Sequence, residues 1–489
     1  MSRSSQGGRA ATKEAIRPSA ARNYTLTLRL KFFKGGAALG SAMSSIARGG
    51  GDTGTIDVVR AGKDFVIRDV SIALRDEAHG KTMVRRLNRL KYVEVLEVFN
   101  PVLLKHAGGK IVVLPRVSAA NAADLAELYT PGVAQVCIAL HADPEKAWSL
   151  SIKGNMVAIV SDGSRVLSLG NIGPYGALPV MEGKAMLFNQ FAGVNAFPIC
   201  LNTQNVDEIV STVINIAPVF GAINLEDIAS PGCYEVERRL QEALDIPVFH
   251  DDQHATAIAV VAAAINAAKV VGKSLSQMKV VAAGVGAAGM ACIKLLMSAG
   301  VSDIVGFNQA GAVHKGRNDL SDHEKWLAES SNQAGFSGSL KEALKGADMF
   351  LGLSVGGILS GEDLKAMNKD AIVFALANPT PEVLPEQAAP FVKVMATGGS
   401  NYPNQINNAL VFPGVFRGAL KARVRSISEE MKMAAARALA DVVSADELHA
   451  DYIVPSIFDT RVAKAVSSAV IKVAIETGQA RLNPDPDQF

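Results

Sequence analysis

Two acidic pairs, Glu226-Asp227 and Asp251-Asp252, each close a short apolar run, GAINL at 221–225 and IPVF at 246–249. Runs of that length and composition predict buried strands, and the amphipathic stretch between them, Cys233 to Leu244, predicts one crossover helix. A strand, helix, strand unit of this size makes its strands parallel, so both acidic pairs leave the sheet at its carboxyl edge, where open α/β sheets bind ligands. Clustered carboxylates repel unless a cation sits among them. Oxygen ligands at a site left open for water and substrate suit Mg²⁺ or Mn²⁺. Two solvated acidic strand caps are the competing reading, and this cluster alone does not separate the two.

A second constellation starts at Met278, where the apolar run MKVVAA leads straight into Gly284-Val285-Gly286-Ala287-Ala288-Gly289 and then a helix over Met290 to Ser298. In that setting the first glycine turns the chain, the second lets backbone approach a pyrophosphate, and the third lets helix and strand pack closely. Helix amides would then face the phosphates of a dinucleotide. The next predicted strand, DIVGF at 303–307, ends at Asn308, where an acid usually grips the ribose diol of NAD. Asn308 lacks that charge, and Lys315 and Arg317 lie near enough in sequence to meet a 2′-phosphate, so NAD and NADP both stay open. Later strands of the same sheet are expected at 347–353 and 371–376. Asn378 would sit just past the second, facing nicotinamide or substrate, and Asn407-Asn408 follow a Pro403-Asn404-Gln405 turn. Amides recognise carboxylates and carboxamides without bringing charge, although turn chemistry explains the same spacing.

Tyr129 lies in the turn YTPGVA, and Lys184 in PVMEGKA at the front of an apolar helix. Beside a cation site a lysine has its ammonium form disfavoured, so Lys184 could be neutral near pH 7 and accept a proton that a nearby tyrosine hydroxyl returns. An ordinary surface lysine and a turn tyrosine are the commoner fate of such residues.

These residues belong to a chain of 489 with 49% hydrophobic content, enough for two or three cores, and its net charge of +2 leaves no field for nucleic acid or membrane. Cys137, Cys200, Cys233 and Cys292 form no CxxC pair and read as reduced thiols of a cytoplasmic protein. Residues 1–22, rich in Ser, Ala, Arg and Gly, predict a disordered tail rather than a transit peptide. Ala255 to Val271, interrupted by Thr256, Asn266 and Lys269, predicts a buried helix rather than a membrane span. From Tyr24 the pattern becomes βαββαβ: strands at 24–31, 55–59, 65–74 and 93–99, with helices through Ala47 and over 82–90. That ferredoxin-like sandwich resembles an ACT domain, whose glycine-rich loop after the first strand commonly helps hold a small effector at a dimer interface. Here the loop has Gly35-Gly36 in place of Pro-Gly, and a dimerisation or packing domain without a ligand is the equal alternative.

YTPGVA (129–134), SDGSRVLSLGNIG (161–173), PVMEGKA (179–185), INLEDI (223–228), FHDDQH (249–254), GVGAAG (284–289), ALANPTPE (375–382) and PNQINN (403–408) follow one another in the order seen in malic enzymes. The chain from about Phe99 onward therefore resembles that family, and the appended ACT-like domain resembles a bacterial subset of it. The resemblance implies oxidative decarboxylation of L-malate to pyruvate and CO₂ with NAD or NADP and Mg²⁺ or Mn²⁺. It implies Glu226, Asp227 and Asp252 as metal ligands, Asp251 orienting Lys184, Lys184 as general base and Tyr129 as general acid. It implies Arg165, Asn378 and Asn408 as malate contacts, and a dinucleotide held by Gly284, Gly286, Ala287, Ala288, Gly289, Asn308 and Asn378.

The implied organisation is α/β: a tail at 1–22, an ACT-like regulatory domain at 23–100, a malate- and metal-binding catalytic domain at 101–272, a doubly wound Rossmann domain at 273–430, and C-terminal helices at 431–489 packing on the catalytic domain. The implied assembly is a homodimer or higher homo-oligomer. Against the family's bacterial pattern, Asn171, Asn308 and Asn401 stand where aspartates are usual, Gly232 and Gly399 where arginines are, and Ala255 where glycine is. Charge is lost around an intact centre. Malolactic or oxaloacetate-decarboxylating activity, and a catalytically silent effector-binding homologue, are the alternatives.

Overall fold

A computed structural model describes residues 24–34, 37–167 and 169–488. The tail expected at 1–22 and the Gly35-Gly36 turn lie outside the described residues. The chain divides into two compact units, the first ending at Lys110.

In the first unit β1 (Tyr24–Phe33), β2 (Asp52–Ala61), β3 (Phe65–Leu74) and β4 (Val93–Phe99) form one antiparallel sheet in the order β2-β3-β1-β4. Alternation decides which face is buried. Leu26, Leu28, Leu30 and Phe32 of β1 turn inward and pack with Ile46 of the helix Ala38–Arg48 and with Met83 and Leu87 of the helix Glu77–Leu87. On the opposite face Arg29 bridges Asp69 of β3 and Glu97 of β4, both at 2.9 Å. The second helix starts five residues before its expected first residue, Thr82, because the Asp76 side chain accepts the His79 amide and caps the helix there. The unit extends past the boundary expected at residue 100, since the helix Pro101–His106, capped by Asn100, packs against β1.

The second unit carries two sheets. The smaller, in the order β6-β5-β7-β8, comprises β5 (Met156–Ser161), β6 (Asn195–Cys200), β7 (Ala222–Leu225) and β8 (Val248–His250), all parallel. The larger runs β11-β10-β9-β12-β13-β14, from β9 (Lys279–Ala283), β10 (Asp303–Asn308), β11 (Gly311–Ala312), β12 (Met349–Gly352), β13 (Ile372–Ala375) and β14 (Val394–Thr397). Its strands are parallel apart from the two-residue β11, and the order reverses between β9 and β12, which makes the doubly wound switch point.

The 21-residue helix Asp251–Val271 is long and apolar enough to cross a membrane, yet it is a core element. Ile258 to Ala264 are buried along it, and Asn266 donates to Ala440 O at 2.8 Å and Ile453 O at 3.0 Å. Its partners include the helices Glu429–Asp441 and Ala287–Ser298. Those hydrogen bonds explain why an asparagine interrupts the apolar run.

Candidate active site

β7 ends at Leu225 and β8 at His250, so Glu226 and Asp251 are the next residues out of the sheet, at the same edge. The chain does not run straight between them. Asp227 takes φ +55, a left-handed conformation uncommon outside glycine. This twist lets its amide donate to Asp252 Oδ2 at 2.9 Å, which ties the two acidic pairs together. Asp251 and Asp252 also open the helix Asp251–Val271, where the macrodipole favours negative charge. Glu226, Asp227 and Asp252 each present a carboxylate oxygen within 4.8 Å of the others. Asp227 Oδ2 is buried without a hydrogen-bond partner among the described residues. A partnerless buried oxygen and an all-oxygen donor set fit a hard divalent cation.

Lys184 joins this cluster from the helix Gly173–Ala192. It lies past the middle of that helix, not at its front, because the helix starts at Gly173 rather than around Pro179. The side chain is only 6% exposed, so the surface reading is excluded. Its ammonium donates to Glu226 Oε2 and, at 2.5 Å, to Asp251 Oδ2, and lies 4.6 Å from the ring centre of Phe412. Phe412 in turn packs on Phe188, one helical turn beyond Lys184.

In this arrangement burial and the neighbouring carboxylates pull on the Lys184 proton in opposite directions. Burial pulls its pKa down, but Asp251, Glu226 and Asp252 raise it more, and the net result is an ammonium held well above the ordinary lysine value. Burial, with Asp252 nearby, pushes Asp227 up to about 7, and burial with the neighbouring acids pushes Asp251 to about 6 and Glu226 well up.

Other expected residues fall into two groups. Asn408 reaches the cluster, but its Nδ2 donates to Asp251 Oδ2 at 2.5 Å, so its amide is committed to that carboxylate. The Arg165 amide donates to Asp227 O at 3.0 Å, which places the loop after β5 against the acidic edge while the guanidinium end stays exposed. Tyr129 is 68% exposed at the end of the helix Ala122–Leu128, and is not among the partners of Lys184. Asn378, at the carboxyl end of β13, is exposed and bonds Leu376 O at 3.4 Å.

The glycine loop is built as its sequence predicts. Gly284 follows β9 with φ +97, and a Cβ there would lie 2.4 Å from Leu353 O. A Cβ on Gly289 would meet Gly284 O at 1.8 Å, so helix and turn can only close on glycine. A Cβ on Gly286 would meet no heavy atom of the described residues beyond its chain neighbours within 4 Å, which suits the close approach of a pyrophosphate. Ala287 and Ala288 begin the helix Ala287–Ser298 behind it.

Three residues escaped the sequence reading. Asn224, buried within β7, donates to Glu226 Oε2 at 3.0 Å; a polar residue inside an apolar strand was the available signal. Glu237 accepts the His250 amide at 2.9 Å and contacts the side chains of Gln253 and His254, so it braces the turn carrying Asp251 and Asp252. Glu382 accepts the amides of Ser354 at 2.8 Å and Ala377 at 3.0 Å, tying the loops after β12 and β13. Glu237 and Glu382 carry no local signal of these roles, because His250, Gln253, His254 and Ser354 lie between 13 and 28 residues from them along the chain.

Comparison with known proteins places this geometry among relatives. Residues 109–241 match the family model described as malic enzyme, N-terminal domain, and residues 253–475 the one described as malic enzyme, NAD binding domain. The chain is 50% identical over 461 residues to the NAD-dependent malic enzyme of Geobacillus stearothermophilus, covering 94% of this chain and 96% of that one. It is 54% identical over 382 residues to the bifunctional malic/malolactic enzyme of Bacillus subtilis, covering 78% and 93%. Among solved structures, the malic enzyme from Pyrococcus horikoshii superposes with a TM-score of 0.75 at 45% identity, covering 78% of this chain and 90% of that one. The NAD-dependent malic enzyme from Thermotoga maritima gives 0.73 at 44%, covering 77% and 99%.

Proposed function

The chain belongs to the malic enzyme family, and from that membership we propose that it oxidatively decarboxylates L-malate to pyruvate and CO₂, reducing NAD or NADP with a divalent cation bound. The observation that carries this reading is that Lys184 pairs with Glu226 and Asp251 beside three carboxylates, Glu226, Asp227 and Asp252, that can share one cation. Glu226, Asp227 and Asp252 would hold Mg²⁺ or Mn²⁺, and Asp251 would orient Lys184. A bound cation supplies Lewis-acid polarisation of the substrate oxygens and cancels the carboxylate charges that keep Lys184 protonated. Bound nicotinamide supplies the acceptor for the hydride leaving C2 of malate.

With the cation offsetting Glu226 and Asp252, burial favours the free amine, and Lys184 Nζ, oriented by Asp251, takes the proton of the malate hydroxyl as the hydride departs. Oxaloacetate so formed loses CO₂ to give enolpyruvate, and Tyr129 returns a proton to its carbon. Arg165 clamps a substrate carboxylate through its planar fork. Asn378 faces the nicotinamide, and Asn408 serves malate by fixing the acceptor oxygen of Asp251. Purified protein mixed with L-malate, Mn²⁺ and NAD or NADP should give reduced nicotinamide in step with pyruvate; its absence under every pairing refutes the reading. The Bacillus subtilis relative, named malic/malolactic, favours a second activity: lactate forming without accumulation of reduced cofactor.

The domain organisation follows the same reading, with the catalytic part at 101–272, the Rossmann part at 273–430 and the C-terminal helices at 431–489. Residues 23–100 are an ACT-like domain, supported by the βαββαβ order and the β2-β3-β1-β4 sheet, and serve effector binding or dimerisation. Homodimers are supported by apolar side chains standing in solvent on the second unit, among them Val112, Val113, Leu114, Leu125 and Ile138. A second copy would cover this strip and the exposed Tyr129 beside it in sequence. The four cysteines are free thiols, which suits the cytoplasm.

A further inference from the structure

The end of β10 carries a charge arrangement that decides between the two dinucleotides, and it rests on the reading of the glycine loop as a dinucleotide site. β10 lies beside β9, so its carboxyl end is where the adenine ribose of a dinucleotide bound on that loop arrives. Asn308, the last residue of β10, uses both ends of its amide. Nδ2 donates to Glu324 Oε1 at 2.7 Å, and Oδ1 accepts from Arg317 Nη1 at 2.9 Å and from the Ala310 amide at 3.0 Å.

Arg317 is the residue a 2′-phosphate would need, and its donors are already engaged. Nε donates to Asp319 Oδ1 at 2.9 Å and Nη2 to Asp319 Oδ2 at 2.5 Å, while Nη1 also points at Ala312 O, 3.2 Å away. Its side chain is 11% exposed. Arg317 also faces Glu324 electrostatically, with Asn308 hydrogen-bonded to both. Glu324 Oε2 accepts the Ser321 amide and hydroxyl at 2.8 Å each in a capping box, and Oε1 is aimed at Asn308. Against Arg317 stand Asp319 and Glu324, a net charge of minus one where a 2′-phosphate would add about two more negative charges. Lys315, exposed in the same loop, adds one ammonium, which brings these four charges to zero and leaves no net positive charge for a 2′-phosphate. A carboxylate beside an amide accepts from a ribose diol and repels a phosphate.

We propose that Glu324, held at the end of β10 by Asn308, takes over the role of the missing aspartate and makes this chain select NAD over NADP, with Asp319 keeping Arg317 from serving a 2′-phosphate. Glu324 is the specificity-determining group, and Asn308 is a positioning residue.

Titrating the purified full chain with NADH and NADPH by nucleotide fluorescence reads binding without turnover, and initial rates with malate and Mn²⁺ read it with turnover. NADH should bind, and kcat/KM for NAD should exceed that for NADP by about tenfold or more. Glu324→Gln keeps the acceptor oxygen for Asn308 but removes the charge, and Asp319→Asn loosens Arg317. Each should shift the ratio toward NADP, the double variant by about tenfold or more, with the change in KM for NADP rather than in kcat. A wild type that prefers NADP, or a double variant with an unaltered ratio, overturns the proposal. Failure of both nucleotides to bind overturns the dinucleotide reading of the glycine loop itself, a separate outcome.

Discussion

Lys184 Nζ and Asp251 Oδ2 lie 2.5 Å apart, and the same carboxylate oxygen accepts the Asn408 amide at 2.5 Å. One oxygen thus fixes the direction of the amine and is itself fixed from the opposite side. Lys184→Ala should reduce kcat for malate oxidation by at least ~10²-fold, the usual loss for a general base. Steady-state rates checked against an unchanged circular dichroism spectrum test this, and an unaltered rate removes Lys184 from the mechanism.

Asn408→Ala separates two roles for the amide. Losing the bond to Asp251 frees that carboxylate to rotate, so kcat should fall by ~10-fold or more with a smaller change in KM for malate. A rise in KM at constant kcat would instead make Asn408 a direct substrate contact.

Glu226→Gln and Asp252→Asn each remove one charge from the three-carboxylate set. Wild type should gain thermal stability on adding Mn²⁺, since a ligand bound only by the folded state raises the melting temperature. Both variants should need ~10-fold or more Mn²⁺ for the same shift. Equal shifts in all three proteins would place the cation elsewhere.

Gly286→Ala and Gly289→Ala test different halves of the glycine loop. Open space surrounds Gly286, so alanine there should leave the melting temperature unchanged and weaken dinucleotide binding; at Gly289 the new Cβ would collide with Gly284 O, so both should suffer. Fluorescence titration and thermal melts of the two variants, side by side, check the contrast.

Glu237 sets an acid limit. Burial opposes its ionisation, but His254 and His250 outweigh burial and hold its carboxyl down at about 2 against an ordinary 4.5. An acid whose folded pKa is depressed stabilises the fold above the unfolded value and loses that contribution as pH falls toward the folded one. The stability gap between wild type and Glu237→Gln should shrink as pH drops from about 4.5 to about 2. Urea unfolding across that window measures it, and a constant gap would falsify the linkage.

Local sequence determined the elements of this protein. Apolar runs fixed the strands at 222–225 and 279–283, alternation fixed the inward face of β1, and glycine spacing fixed the phosphate-type turn, because each depends on residues within a few positions. The acidic pairs were legible for the same reason: strand, helix and strand leave them at one edge.

Tertiary structure decided which charges face Lys184, since its side chain meets Glu226 and Asp251, 42 and 67 residues away. It also decided that Asn408 belongs to Asp251, 157 residues back in the chain, and that Glu237 braces the turn carrying Asp251 and Asp252. No pattern along the chain encodes such pairings, because hydrogen bonds and Coulomb fields depend on distance in space, and the fold sets that distance.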